Sequence, residues 1–362
     1  MQDLSWLGSP RLPIVQAPMA GVQDERLALA ACAAGALGSL PAAMLAPAAL
    51  QDALRRLRAA TAAPVNVNFF AYVPPPPDPA REARWRARLA PYLREAGLDP
   101  EAPAAAPTRR PFGPEAAEAL EAAPPAVVSF HFGLPAPELL ARVRRLGARV
   151  LSTATTVAEA RWLAARGVDG VIAQGLEAGG HRGHFLDVPA DAVAAAAVGG
   201  QASTWTLLPQ IVAAVDVPVV AAGGIVDAAT TRRAFALGAR AVQAGTAFLL
   251  CPEATTSAPH RTALQAAGAT TALTNLFSGG LARGLVNRLM RELGPVDAGA
   301  PAFPLAAVAV APLRAAAEAA GRGDFSPLWA GSDLSACRPR PAADVVADLA
   351  AGVPAAAHGT RG

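Results

Sequence analysis

Apolar residues in this chain gather into short runs. Eight segments rich in Val, Ile, Leu, Ala and Phe recur at residues 13–18, 36–42, 64–70, 126–132, 148–154, 170–175, 217–223 and 241–248, each bounded by turn residues. Several are apolar almost without interruption, the pattern of strands buried on both faces. Between most of them the apolar spacing changes to a helical period, over 24–34, 47–61, 137–146, 157–166 and 227–237. Strand–helix alternation implies parallel pairing through right-handed crossovers. Gly35, Gly147, Gly167 and Gly238 each fall between a helix pattern and the next strand, where glycine takes the left-handed conformation that ends a helix. Eight such units, each of roughly 20 to 30 residues, close a barrel, so the expected fold is α/β, a TIM (β/α)8 barrel.

The long gaps in this rhythm locate the additions. An insertion after the third strand, at about residues 71–113, opens with four prolines at 74–77 and continues as an Arg-rich helix pattern, reading as a polyproline start to an excursion. A second gap, 176–200, follows the sixth strand. Residues 251–335 carry helix patterns broken by Pro301, Pro304 and Pro312 and are expected to form a helical, substrate-binding cap over the barrel mouth. The expected division is a barrel over 1–250, the cap over 251–335, and a Pro/Ala/Gly-rich tail over 336–362 that is partly disordered.

Composition narrows the class. With 362 residues, 53% of them hydrophobic and 16% charged, the chain can bury a large core. All 31 basic residues are Arg, and the net charge of +3 forms no block of like charges. No nucleic-acid or membrane surface is therefore expected. Cys32, Cys251 and Cys337 are too few and too scattered for a disulfide framework or a zinc cluster, which fits a reducing compartment. The amino terminus lacks a basic segment followed by an apolar stretch, and no apolar run reaches the roughly 18 residues of a membrane span. A soluble cytoplasmic protein is expected, monomeric or homodimeric.

Candidate chemistry lies where the strands end. Residues 174–183, Gln-Gly-Leu-Glu-Ala-Gly-Gly-His-Arg-Gly, place His181 between glycines directly after an apolar strand. Glycine lets backbone approach a ligand closely, and imidazole titrates near neutrality. The other strands end in Gln16-Ala17-Pro18-Met19, Asn66-Val67-Asn68-Phe69, His131, Ala222-Gly223-Gly224 and Gln243-Ala244-Gly245-Thr246. The last two glycine turns suit a phosphate, as the common barrel phosphate site does. Carboxamides at Asn68, Gln174 and Gln243 suit the polar edge of a heteroaromatic ring. Together these residues describe a flavin mononucleotide (FMN) site; the alternative is glycines that only turn the chain and amides that only satisfy backbone. His131 faces the mouth or the wall according to strand phase. Glu177, His181 and His184 do not make a metal site, because the glycine pair breaks the helix that would align them. Cys251 reads as structural.

These segments, together with Pro13-Ile14-Val15-Gln16, Ser129-Phe130-His131-Phe132-Gly133, Ala221-Ala222-Gly223-Gly224-Ile225 and Phe277-Ser278-Gly279, resemble the class I nitronate monooxygenases, formerly called 2-nitropropane dioxygenases, across nearly the whole chain. Gly179-Gly180-His181-Arg182-Gly183 is the specific element. The resemblance implies non-covalent FMN and a catalytic role for His181. It implies cofactor contacts from Ala17, Pro18, Met19, Asn68, Gln174, Gly179, Gly180, Ala222, Gly223, Gly224, Gln243, Ala244, Gly245 and Thr246, and substrate contacts from His131, Arg182 and Ser278. The implied reaction is oxidation of an alkyl nitronate such as propionate 3-nitronate by O2, through a flavin semiquinone, to a carbonyl compound plus nitrite or nitrogen oxides. Two departures bear on the substrate. The chain reads Ser278-Gly279-Gly280-Leu281-Ala282-Arg283-Gly284 where the family usually has Ser-Gly-Arg-Pro-Ala-Arg-Gly, and it offers Phe303 with no Tyr or Lys beyond residue 92. The rival readings are an NAD(P)H-dependent flavin reductase of quinones or enoyl thioesters on the same barrel, which lacks a G-x-G-x-x-G fingerprint here, and a flavin-free phosphate-binding barrel.

Overall fold

The computed structural model of the chain describes residues 3–102, 109–186 and 201–355. Eight parallel strands form one sheet: β1 (Ile14–Gln16), β2 (Gly38–Pro41), β3 (Val65–Phe70), β4 (Val127–His131), β5 (Arg149–Ala154), β6 (Gly170–Gln174), β8 (Val219–Ala222) and β9 (Ala241–Ala244). The intervening β7 (Gly180–His181) belongs to a separate sheet with β10 (Thr271–Thr274) and β11 (Ala282–Leu285). The ring closes where the Leu37 N–H donates to Ile14 O at 2.8 Å and the Gln16 N–H to Leu37 O at 3.0 Å. Closure leaves no exposed edge strand, and the TIM barrel is present as expected.

The helices start and stop where local chemistry dictates. Thr156 and Glu159 form a reciprocal capping box at the helix Val157–Ala164, and Asp227 with Thr230 does the same at Ala228–Ala236, satisfying N–H groups that have no partner inside the helix. The four glycines expected to end helices have φ of +100° (Gly35), +74° (Gly147), +70° (Gly167) and +96° (Gly238). Inside the barrel, Val15, Leu37, Val127, Leu151, Ile172, Val220 and Ala241 form one apolar cluster, closed by Leu7 and Trp6 from an amino-terminal turn.

The additions share their cores with other parts of the chain. The helix Pro79–Glu95 lies in the insertion assigned to the barrel, yet Trp85, Leu89 and Leu93 share one core with Phe277, Leu289, Met290, Val310 and Leu313 of the cap. The insertion is thus half of the cap, because its apolar face has nothing else to cover it. The tail, expected to be partly disordered, contains the helix Ala342–Ala350, which buries Ala342, Val345, Val346 and Leu349. It packs against the helices Glu25–Ala33 and Ala228–Ala236 and supplies the helix due after β9. Residues 356–362 lie outside the described residues, as do 187–200 of the second gap.

Trp85 ties the two halves of the cap: its side chain is 1% exposed and its indole N–H donates to Ala306 O at 3.3 Å. Trp85→Ala should lower unfolding free energy by about 3 to 5 kcal/mol. Arg84→Ala, on an exposed position of the same helix, should stay within about 0.5 kcal/mol. Urea unfolding of the two variants checks the difference.

Candidate active site

The carboxyl ends of the strands and the underside of the cap enclose one cavity. Residues at strand ends line it: Ala17, Pro18 and Met19 after β1, Asn68 and Phe70 on β3, His131 on β4, Thr153 on β5, Gln174 on β6, Ala222 and Gly223 at β8, and Gln243, Gly245 and Thr246 at β9. Gly179, Gly180 and His181 enter from β7, and Trp329 and Ala330 from the cap. Sixteen-to-nineteen is held by two buried glutamines. Gln16 donates to Ala17 O and to Gln23 Oε1 at 2.9 Å, Ser39 N donates to Gln16 Oε1 at 3.0 Å, and Met19 N donates to Gln23 Oε1 at 2.9 Å.

The segment carrying His181 is clamped from both sides. Below, the Gln174 carboxamide donates to His181 O at 2.9 Å and accepts from Gly183 N at 2.8 Å. Above, β7 pairs antiparallel with β11, Ala282 opposite His181 and Arg283 opposite Gly180. The glycines here answer to space. A Cβ on Gly179 would lie 2.5 Å from the carbonyl carbon of Ala330, and one on Gly183 would lie 2.7 Å from His131 Cε1, closer than real Cβ atoms come. The expected loop is therefore partly a strand, which the glycines concealed from pattern reading.

Arg182 is the clearest correction among the predicted site residues. It is fully buried and absent from the cavity lining. Its guanidinium donates to Gln174 O at 2.8 Å, to Gly175 O and to Gln201 Oε1. Consecutive residues of a strand point to opposite faces, so His181 in the mouth places Arg182 in the wall. Ser278 is likewise buried and off the lining, but its Oγ lies 2.8 Å from His181 Nε2, so it touches the imidazole from behind. Gly224 and Ala244 also lie off the lining; Ala244 instead gives its carbonyl to Ala17 N at 2.8 Å.

The imidazoles sit in a dry aromatic shell. Around His181 the ring centroids of Phe303, Trp329, Phe70 and Phe132 lie at 5.1, 5.3, 6.2 and 6.2 Å. Burial, then the charge of Arg109, holds the His181 pKa well below 6.5, because a low-dielectric setting disfavours imidazolium. His131 bridges Thr153 Oγ1 and His181 O, each at 3.1 Å, and burial lowers its pKa to about 4. Both are neutral at neutral pH. Phe132, directly after His131, has φ +69°, a left-handed conformation that costs a bulky residue energy and is retained only where surroundings impose it.

Several features fit a flat ring carrying a phosphate. Gly223 has φ +106°, and a Cβ there would lie 2.8 Å from Thr204 Oγ1 and 2.9 Å from Ala178 N. Gln243 Oε1 is buried without a partner, an acceptor awaiting a donor N–H. Asn68 has its amide nitrogen on Ser129 Oγ at 2.9 Å, and Gln174 is engaged by the His181 segment. Sequence reasoning missed Glu177, whose carboxylate caps the helix Thr204–Val212 through Thr204 N at 2.7 Å. It also missed Arg109 and Trp329, which line the cavity; they stand in irregular segments without periodicity to mark them.

A family model described as nitronate monooxygenase matches residues 6–352. A nitronate monooxygenase of Pseudomonas aeruginosa is 41% identical over 346 residues, covering 93% of this chain and 95% of that protein. One of Paraburkholderia phytofirmans is 39% identical, covering 93% and 91%. Among solved structures, nitroalkane oxidase from Streptomyces ansochromogenes is 40% identical with a TM-score of 0.84, covering 96% of this chain and 97% of that one. FabK from Thermotoga maritima aligns with a TM-score of 0.67 at 24% identity over 96% of this chain and 94% of that one, a likeness of fold alone.

The buried histidines set a direction for acid sensitivity. As pH falls, the unfolded chain protonates His131 near 6.5, whereas the folded chain withholds that proton until about 4. Stability should therefore decline across this window, where the unfolded state binds more protons. Urea midpoints should fall between about pH 7 and about pH 4.5, and the fall should be shallower in His131→Gln. Equal slopes in the two proteins would show that His131 titrates normally.

Proposed function

This chain belongs to the nitronate monooxygenase family of oxidoreductases, and from that premise we propose that it uses FMN to oxidise alkyl nitronates with O2. The observation that carries this reading is the meeting, in one cavity, of neutral His181, the unpartnered Gln243 acceptor and the glycine turn at Gly223.

The residues present fit a flavin. A phosphate would meet bare backbone at Gly223 and Gly245, which line the cavity. Gln243 Oε1 can accept from an N–H on the polar edge of the ring, and the side chains of Ala17, Pro18 and Met19 offer it an apolar surface. When bound, FMN supplies electron transfer from the nitronate to O2; placement and electrostatics fall to the protein.

His181 would orient the nitronate. Ser278 Oγ donates its proton to Gly280 O at 3.3 Å and lies 2.8 Å from His181 Nε2, so it accepts the imidazole N–H at Nε2. That leaves Nδ1 of the neutral imidazole without a proton, a base on the cavity lining, and the tautomer is set by the partner on the opposite nitrogen. Phe70, Phe132, Phe303 and Trp329 surround the imidazole, and their burial of it keeps that base uncharged. His131 supports the arrangement through its bond to His181 O.

Anaerobic addition of propionate 3-nitronate to the yellow protein should alter its flavin absorption, whereas NADH should leave it unchanged. Bleaching by NADH with no response to nitronate would overturn the reading in favour of a reductase. His181→Asn should keep its flavin and lose roughly two to three orders of magnitude in turnover, the usual scale of a positioned acid–base group. Ser278→Ala, which frees the tautomer, should lose about tenfold, with activity measured by oxygen uptake.

A further inference from the structure

Among the described residues, one of the charges lining the cavity is held by no hydrogen bond or ion pair. Two carboxylates line it, Glu177 and Glu318, and both are engaged. Glu177 accepts from Thr204 N at 2.7 Å and Thr204 Oγ1 at 2.9 Å. Glu318 accepts from Arg314 Nε at 2.8 Å and Ser326 Oγ at 2.7 Å. Two arginines line it, Arg314, which is paired with Glu318, and Arg109. Arg109 is half-buried, and its guanidinium forms no hydrogen bond or ion pair among the described residues. Its backbone is held by Tyr72, whose hydroxyl donates to Arg109 O at 2.9 Å.

A cation withdrawn from water without a counter-charge is costly. Here the cost is raised by Arg314, whose charge opposes that of Arg109. The lining imidazoles offer no relief and no competition, since His131, His181 and His260 are all held neutral by burial. Arg109 enters with Tyr72 and Phe70 from the end of β3, which in the barrel order lies well around the ring from β8 and β9 and their glycine turns. It is therefore separate from the phosphate cradle. A planar guanidinium matches a carboxylate with two parallel hydrogen bonds.

We infer that Arg109 is a specificity-determining residue that binds a carboxylate on the substrate, remote from the nitronate group held at His181. This rests on the nitronate reading above for its reacting end, and on the cavity alone for its carboxylate end. The chain lacks Lys altogether, so recognition of a second anion falls to an arginine.

The test compares the parent protein, Arg109→Met and Arg109→Lys. Parent KM should be lower for propionate 3-nitronate than for butyl-1-nitronate, in which the carboxylate is replaced by an alkyl end. Arg109→Met should raise the ratio of the two KM values against the carboxylate substrate by roughly ten- to hundredfold, the range of a lost hydrogen-bonded charge pair, with Arg109→Lys in between. In parallel, calorimetric titration of the same proteins with 3-nitropropionate, which keeps the carboxylate without the nitronate, should show binding weakened by a similar factor in Arg109→Met. Equal KM changes for both substrates, or an unchanged ratio, would overturn the inference. Absence of turnover of any nitronate by the parent would defeat the nitronate reading instead; the titration then decides Arg109, upheld if 3-nitropropionate affinity is lost in Arg109→Met and overturned if it is unchanged or absent from the parent.

Discussion

The backbone from Gly179 to Gly183 must satisfy the barrel and the cap at once. Gln174, at the end of a barrel strand, holds His181 O and Gly183 N with one carboxamide, while β11 of the cap pairs with the same residues from the other side. At the two ends of this segment a Cβ would collide, with Ala330 at Gly179 and with His131 at Gly183. His181 is thereby fixed in the mouth without a helix or a long strand beneath it, and displacement of either body would move the imidazole.

Burial of that seam decides the electrostatics. Four aromatic rings surround His181, and the resulting low dielectric keeps it and His131 uncharged. An anionic substrate therefore meets uncharged imidazoles, and the positive charge in the cavity is carried by arginine. Arg182, next to His181 in sequence, is not that arginine: its fork closes the turn after β6 by binding the carbonyls of Gln174 and Gly175. Two other arginines line the cavity, Arg314, paired with Glu318, and Arg109, which comes from a different excursion.

The barrel was legible because each of its units announces itself locally. Runs of Val, Ile and Ala between helix-period stretches, with capping residues at Thr156 and Asp227 and glycines at 35, 147, 167 and 238, need no distant partner to be read. Most of the strand-end residues named from sequence line the cavity for the same reason, since the carboxyl ends of parallel strands in a closed barrel converge. The helix Ala342–Ala350 completes the ring only through its seat against two barrel helices, which no local pattern shows.

By itself, then, the sequence determined the strand–helix rhythm, the barrel that follows from it, and which polar residues stand at strand ends. Tertiary structure alone decided that the insertion helix and the carboxyl-terminal region share one core, that His181 lies on a cap strand, and that Arg109 reaches the mouth while Arg182 does not. The reason is physical. Propensity, capping and periodicity act over a few residues, whereas facing, burial and charge pairing depend on contacts between segments far apart in the chain, and no local pattern encodes those distances.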